Sequence, residues 1–293
     1  MSGDGTVPRV PPVPILLALV SSALYGSGDF FGGVASRRAA AFAVTWWSQL
    51  ASLVPLGMAL ALWGPVTVGR ADLGWGGLGG VCGGVALMTF YGALSVGPMS
   101  IVAPVTGVVG ASVPALAGLA AGDRIPVVTA IGLVGAVVSI GLVSASSHGD
   151  QAPVIRSTVL KAVAAGLGFG AFFVCFGKAS TAAGMWPLLG ARVGSITILS
   201  TLAVLRRADL RLAPPAVRPT MVAGVFDVTA NGTLLWAITR GPVSTIGVLS
   251  SLYPAATVLL ARMVLRERLA RVQIAGIGAA AAAVVLISSG HPG

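Results

Sequence analysis

Charge is what this chain has least of. Only 9% of its 293 residues are charged, against about 25% in an ordinary soluble domain, while 56% are hydrophobic. A water-facing globular fold cannot hide that much apolar surface, so lipid is the expected solvent for most of the protein. Histidine occurs twice, at His148 and His291, both outside the apolar runs. That argues against zinc and serine intramembrane proteases, which need an imidazole at depth. The two cysteines, Cys82 and Cys175, lie inside apolar runs with no metal-ligand spacing around them. They read as small packing residues, and neither a metal nor a cofactor is expected. Glycines are plentiful, but no strand precedes the glycine runs and no lysine follows them, so they do not form a phosphate-binding loop. No nucleotide-binding domain is recognisable, and ATP is not expected to drive this protein directly.

Acidic residues number 8 against 18 Lys and Arg, a formal net charge of +10. The basic residues sit in short connections between apolar runs. Anionic lipid headgroups are therefore the expected partner rather than nucleic acid, each such residue being worth about 1 kcal/mol at the surface. Between Met1 and Pro14 the chain is proline-rich, and the apolar run that follows ends at Arg37-Arg38 rather than at a small-residue cleavage site. The first span itself is expected to direct insertion.

A span needs about 20 mainly apolar residues. Ten are placed, at 14–36, 40–63, 73–96, 99–121, 125–147, 158–180, 184–205, 220–239, 243–265 and 271–289. They fall into two equal sets, because a shift of 144 residues lays the second half on the first without a gap. Gly97-Pro98 meets Gly241-Pro242, Ser100 meets Ser244, Gly26 meets Gly170, and Asp123-Arg124 meets Glu267-Arg268. The expected domains are a five-helix repeat over 14–147, a linker over 148–157 and a second repeat over 158–290. Five spans per copy is an odd number, so the second copy must run upside down. The fold class is thus an all-α integral membrane protein with ten transmembrane helices as two inverted five-helix repeats. Inverted repeats are the architecture of secondary transporters, with a site at the repeat interface near the midplane.

Small residues mark where such helices touch, since they let backbones approach in lipid. The third span carries Gly76-Gly77, Gly79-Gly80 and Gly83-Gly84, and the tenth carries Gly276, Gly278 and five alanines from Ala279 to Ala283. Both read as helix contact faces. For orientation, twelve Lys and Arg lie in connections 1–2, 5–6, 7–8 and 9–10 and five on the opposite side, which places both termini outside.

The fourth and ninth spans carry a recognisable pattern. The ninth reads Gly241-Pro242-Val243-Ser244, then Ser250-Ser251-Leu252-Tyr253-Pro254, and ends at Arg266-Glu267-Arg268-Leu269. The fourth reads Gly97-Pro98-Met99-Ser100-Ile101-Val102-Ala103-Pro104, with a weaker ending at Gly122-Asp123-Arg124-Ile125. This resembles the EamA domain of the drug/metabolite transporter superfamily, twice over and across nearly the whole chain. The resemblance implies an exporter of amino acids, metabolites or drug-like solutes in the cytoplasmic membrane. It also implies cytoplasmic termini, against the charge count. Asp123 departs from the family pattern, standing where a Glu is usual.

Ionisable groups within spans are costly, by about 2.5–3.5 kcal/mol at the centre, and usually face a cavity or a partner. Three are present: Asp29, Arg192 and Asp227. At helical spacing Asp29 shares a face with Ser22, Tyr25, Gly26, Gly32, Gly33 and Ser36, a small and polar stripe that suits a cavity wall. Leu16, Leu17, Leu19 and Phe31 lie on the other faces and suit lipid. The competing reading makes Asp29 a bond between helices. Asp227 shares a face with Gly224, Ala230 and Asn231, and Arg192 has Ser195 one turn on. Opposite charges on consecutive spans allow an internal ion pair; an unpaired Arg192 would instead favour an anionic substrate. Aromatic candidates are Tyr25, Tyr91, Phe169, Trp236 and Tyr253. Trp46 and Trp47 suit an interfacial belt as well as a site, and Phe172 and Phe173 suit lipid equally. Tyr25 and Phe169 occupy equivalent positions in the two copies and are expected to approach across the repeat axis, where with Asp29 they would suit a cation or amphipathic amine.

The expected function is a secondary transporter of a small-molecule substrate, with a proton as the candidate coupling ion, monomeric or weakly self-associating, and not an enzyme. Two other classes compete. Gly26-Ser27-Gly28-Asp29 with Asp227 resembles the acid pair of intramembrane aspartyl proteases, in which two carboxylates share a proton. Against it, the partner acid follows the Gly-x-Gly-Asp string instead of preceding it, and Phe226 rather than Tyr precedes Asp227. A non-transporting receptor or scaffold is the third.

Overall fold

The computed structural model describes residues 12–62, 66–122, 126–145, 152–241, 243–267 and 271–289. Within them the chain forms twelve α-helices and one 3-10 turn, with no strand among the described residues. The helices are α1 (Pro12–Ser36), α2 (Ala41–Ala51), α3 (Leu53–Leu62), α4 (Arg70–Leu94), α5 (Met99–Ala120) and α6 (Val127–Ala145). They continue as α7 (Ala152–Phe176), α8 (Trp186–Arg206), α9 (Pro214–Ile238), α10 (Val243–Ser250), α11 (Tyr253–Val264) and α12 (Arg271–Ser289). Seven of these are long and apolar enough to cross a membrane: α1, α4, α5, α7, α8, α9 and α12. Asp123, Arg124, Pro242, Arg268, His148 and His291 fall outside the described residues.

Two expected spans are each divided. The segment 40–63 is split at Ser52 into α2 and α3, and 243–265 is split at Ser251-Leu252 into α10 and α11. Proline explains both divisions. Pro55 has no N–H for the carbonyl of Ala51, where α2 ends, and Pro254 has none for Ser250, where α10 ends. α7 is already helical at Ala152, within the segment 148–157 expected as the linker.

The 144-residue shift reappears in the element bounds. Arg70–Leu94 maps onto Pro214–Ile238, Val127–Ala145 onto Arg271–Ser289, and the start and end of α5 onto the start of α10 and the end of α11. Packing recurs in the same way. α1 lies against α9 and α11, and its counterpart α7 lies against α4 and α5, while α6 pairs with α12. Single contacts follow suit: a Cβ on Gly97 would sit 2.3 Å from Thr158, and one on Gly241 would sit 2.8 Å from Pro14, the counterpart of Thr158. Gly26 and Gly170 meet Thr257 and its counterpart Val113 at 2.9 and 2.3 Å.

The glycine faces of α4 do what small residues in lipid are expected to do. A Cβ on Gly76 would lie 2.1 Å from the carbonyl oxygen of Pro187, and one on Gly80 would lie 1.9 Å from that of Ala191, so α8 docks on α4 backbone to backbone. Gly79 and Gly83 meet Phe172 of α7 on the adjoining face. In α12, Ala280 and Ala283 are buried, and Ala283 packs on Gly132 and Gly135 of α6, whereas Gly278 meets nothing within 4 Å. Gly80→Ala is expected to lower stability by about 1–3 kcal/mol, because only a backbone shift can make room. Gly92, on the same helix, has nothing within 4 Å of its Cβ position, and Gly92→Ala is expected to be neutral or slightly stabilising. Thermal unfolding in detergent compares the two, and equal melting would show that α4 and α8 are not held this closely.

Alternation of the helices gives the bundle two ends. One receives the last turns of α1, α4, α6, α8 and α11, and it holds Arg37, Arg38, Arg206, Arg207, Arg211, Arg218, Arg262, Arg266 and Arg271. This arginine-rich end is densely packed: Phe30, Ala35, Val44, Tyr91, Leu94, Met99 and Ile101 to Ala103 are all buried in one apolar cluster. The opposite end is tied at its rim by Asp72, whose carboxylate accepts from the N–H groups of Gly69 and Ser180 at 2.8 and 2.7 Å.

Candidate functional site

A cavity of about 290 Å³ occupies the middle of the bundle. Tyr25 and Asp29 of α1, Phe90 of α4 and Thr106 of α5 line the part nearer the arginine-rich end. From there it runs to the opposite end, where Leu188 of α8, Leu234 of α9 and Ser288 of α12 line it. The packed cluster described above closes it towards the arginine-rich end. Most of its wall is apolar and aromatic, including Phe169, Phe172 and Phe173 of α7, with a few polar groups converging on one side. That mixture is the usual make-up of a small-molecule site.

Of the expected site residues, Tyr25, Asp29, Phe169, Arg192, Asp227, Asn231 and Tyr253 all line this cavity. Tyr91 and Trp236 do not. Tyr91 is buried flat against α1, where a Cβ on Gly32 would lie 2.1 Å from its ring. Trp236 is 47% exposed and carries the Arg240 guanidinium over its ring at 4.6 Å, as an interfacial tryptophan would. Trp47 likewise sits at the surface and donates to the Leu210 carbonyl at 2.8 Å.

Arg192 and Asp227 are brought together as an ion pair. The arginine donates a second bond to Gln49 Oε1 at 2.5 Å, and Ser195 Oγ donates to the same oxygen at 3.2 Å. Asn231 is held one turn along α9 by donating to the Asp227 carbonyl at 2.7 Å. The arginine side chain is only 9% exposed and the aspartate 34%, so the charge is carried from a buried stem to the cavity face. Gln49 escapes a search for charges in apolar segments. The only signal it gives is an amide in the middle of a span, where it must find partners.

Asp29 is different. No hydrogen bond or ion pair engages its carboxylate among the described residues, and no hydrogen bond joins it to Asp227. All three tyrosines of the chain lie within electrostatic reach of it. Tyr25 and Tyr253 pack with ring centroids 6.1 Å apart. Phe169 takes Phe90 as its ring partner at 5.9 Å, so Tyr25 and Phe169 share the cavity without pairing ring to ring.

The small-residue stripe on α1 needs correction. Gly26, Gly32 and Gly33 do not leave open room; neighbouring helices fill it. A Cβ on Gly26 would lie 2.4 Å from the Tyr253 carbonyl, and one on Gly33 would lie 2.7 Å from Met99. Only Tyr25 and Asp29 of that stripe reach the cavity. Phe31, expected to face lipid, is partly buried and packs edge-on against Phe226 with centroids 5.9 Å apart. Leu16 and Leu19 do face outward, at 62% and 42% exposure.

Comparison with known proteins agrees with this architecture. A solved crystal structure superposes with a TM-score of 0.61 at 18% sequence identity, over 92% of this chain and 97% of that one, a likeness of fold alone. No curated protein matches the sequence. The model of the EamA-like transporter family matches residues 156–289, so the second half of this chain, which carries several helices long and apolar enough to cross a membrane, is similar to an EamA domain.

Proposed function

We propose that the protein is a secondary transporter that moves a small organic solute across the cytoplasmic membrane, as an exporter. In this reading α2 with α3, and α10 with α11, each form one bent span. Ten spans then make two inverted five-helix repeats, which present the cavity alternately to the two sides. The recurrence of element bounds and contacts at a 144-residue offset supports the repeat. The observation that carries the function is the cavity itself, closed at one end and holding an unpaired carboxylate among tyrosines. An ammonium group is the natural complement of Asp29, and the aromatic wall suits an apolar body, so the solute class is an amine, an amino acid or a related cationic metabolite. Asp29 is also the candidate carrier of a coupling proton. Cofactors have no place in this scheme, and membrane lipid is the surrounding partner.

The test is a thermal-shift screen of the purified protein against amines, amino acids and organic anions, followed by flux measurements in liposomes. A ligand present at 100 times its dissociation constant stabilises by about 2.7 kcal/mol, a readily measured shift. Amines or amino acids are expected to raise the melting temperature and to cross the bilayer with the protein present. Stabilisation by organic anions alone would move the anchor from Asp29 to Arg192, and binding without flux would favour a receptor.

A further inference from the structure

From mid-span towards the arginine-rich end, α1 and α11 pack against each other. A Cβ on Gly26 would lie 2.4 Å from the Tyr253 carbonyl, and Thr257 Oγ1 donates to the Gly26 carbonyl at 3.0 Å. From this pair two side chains reach out and grip the tight turn between α4 and α5. Arg37, just past α1, donates through Nε to the Leu94 carbonyl at 3.3 Å and through Nη2 to the Gly97 carbonyl at 3.2 Å. Glu267, just past α11, accepts from the N–H groups of Met99 and Ser100 at 3.0 Å each and from Ser100 Oγ at 2.8 Å. The two then pair with each other at 3.1 Å. Each charge answers a helix terminus: the guanidinium takes carbonyls left over where α4 ends, and the carboxylate takes amides left over where α5 begins. Glu267 is only 12% exposed in doing so.

The same place in the other repeat is built differently. The 144-residue counterpart of Arg37 is Thr181, which carries no charge. Gly33, near the end of α1, packs on Leu94 and Met99. Its counterpart Gly177, at the end of α7, meets only Phe173 and Val174 of its own segment, and the cavity lining extends towards that end through Leu188, Leu234 and Ser288. The fold is therefore stapled at one end, and the position that supplies the staple's cation is an uncharged threonine in the other repeat.

We propose that Arg37 and Glu267 form the gate of the arginine-rich end. The α4–α5 turn must leave this grip for the cavity to open there, and the missing cation at Thr181 biases the protein towards the state seen here. The inference rests on the alternating-access reading above.

The test uses paired spin labels in full-length protein with Cys82→Ser and Cys175→Ser as background. One pair, Val96→Cys with Met263→Cys, spans the gate; the other, Lys178→Cys with Thr239→Cys, spans the opposite end. Arg37→Gln is expected to shift the ratio of gate-open to gate-closed molecules by about tenfold, the lower range for bonds to a charged group that is partly exposed. The gate pair should gain a longer distance and the other pair a shorter one. Arg37→Lys should restore part of the closed population, since an ammonium can pair with Glu267 but cannot fork to two carbonyls. If Arg37→Gln and Glu267→Gln lower the melting temperature but leave both distance distributions as in the parent, the residues only cap helices and the gate proposal is overturned. If the parent already shows two populations at each end and neither variant changes their ratio, alternating access stands and the gate is elsewhere. If no variant shows a second population at either end, the alternating-access reading itself fails.

Discussion

Asp29→Asn is expected to lower transport about tenfold to a hundredfold while leaving the fold intact, the range set by losing a bond between charged groups. The motive is the isolation of the carboxylate. It faces the cavity with no hydrogen bond or ion pair among the described residues, so no structural partner is lost when its charge is removed. Asparagine keeps the shape and relieves a charge held away from bulk water, and the melting temperature should stay level or rise slightly. Two roles for the acid separate by pH. A coupling acid gives a wild type whose flux depends on pH and an Asp29→Asn exchange activity that is flat. A simple counter-ion to substrate loses binding at every pH. Unchanged flux through purified Asp29→Asn protein in liposomes would remove Asp29 from the site.

Much of this was legible in the sequence because the signals are periodic or costly. Long apolar runs announce helices in lipid, and a repeat shows itself by position without reference to chemistry. Asp29, Arg192 and Asp227 stand out because a charge within a span needs a reason to be there. What sequence could not settle is which kind of emptiness a glycine marks. Gly26, Gly32 and Gly33 read equally as cavity wall and as contact face, and only the placement of Tyr253, Tyr91 and Met99 against them decides for contact. Aromatic residues pose the same problem. Tyr91 and Tyr253 both lie near Asp29, yet one is spent as packing against Gly32 and the other lines the cavity. Neutral polar residues were the least visible, since Gln49 joins the Arg192 network through geometry that no spacing rule encodes.

Prolines in spans show a related limit. Pro55 and Pro254 coincide with divided helices, whereas Pro104 and Pro114 lie within an unbroken α5. The residue type alone gives the missing N–H, but whether the freed carbonyl ends the helix depends on what packs beside it.

Breaking the Arg192–Asp227 pair should destabilise the protein unequally from its two sides, and removing both charges should restore most of the loss. Leaving one member of a buried ion pair costs about 3–5 kcal/mol when the survivor has no other support. Asp227→Leu strands Arg192, which is 9% exposed and keeps only Gln49 as a side-chain acceptor, and whose Nε is already buried without a partner. Its expected cost is therefore near the lower end of that range, about 3 kcal/mol. Arg192→Leu strands Asp227, which is 34% exposed and can be solvated through the cavity, so about 1–2 kcal/mol is expected there. Gln49 is not orphaned by that change, because Ser195 Oγ still donates to its oxygen. The Arg192→Leu/Asp227→Leu double variant leaves no buried charge and should melt closer to wild type than Asp227→Leu alone. Thermal unfolding of all four proteins in one detergent completes the cycle. Additive losses would show that the two charges act independently. Arg192 would then be free to receive an anionic group of the substrate, and retained flux in the double variant would show in turn that the pair shapes the cavity without binding what passes through it.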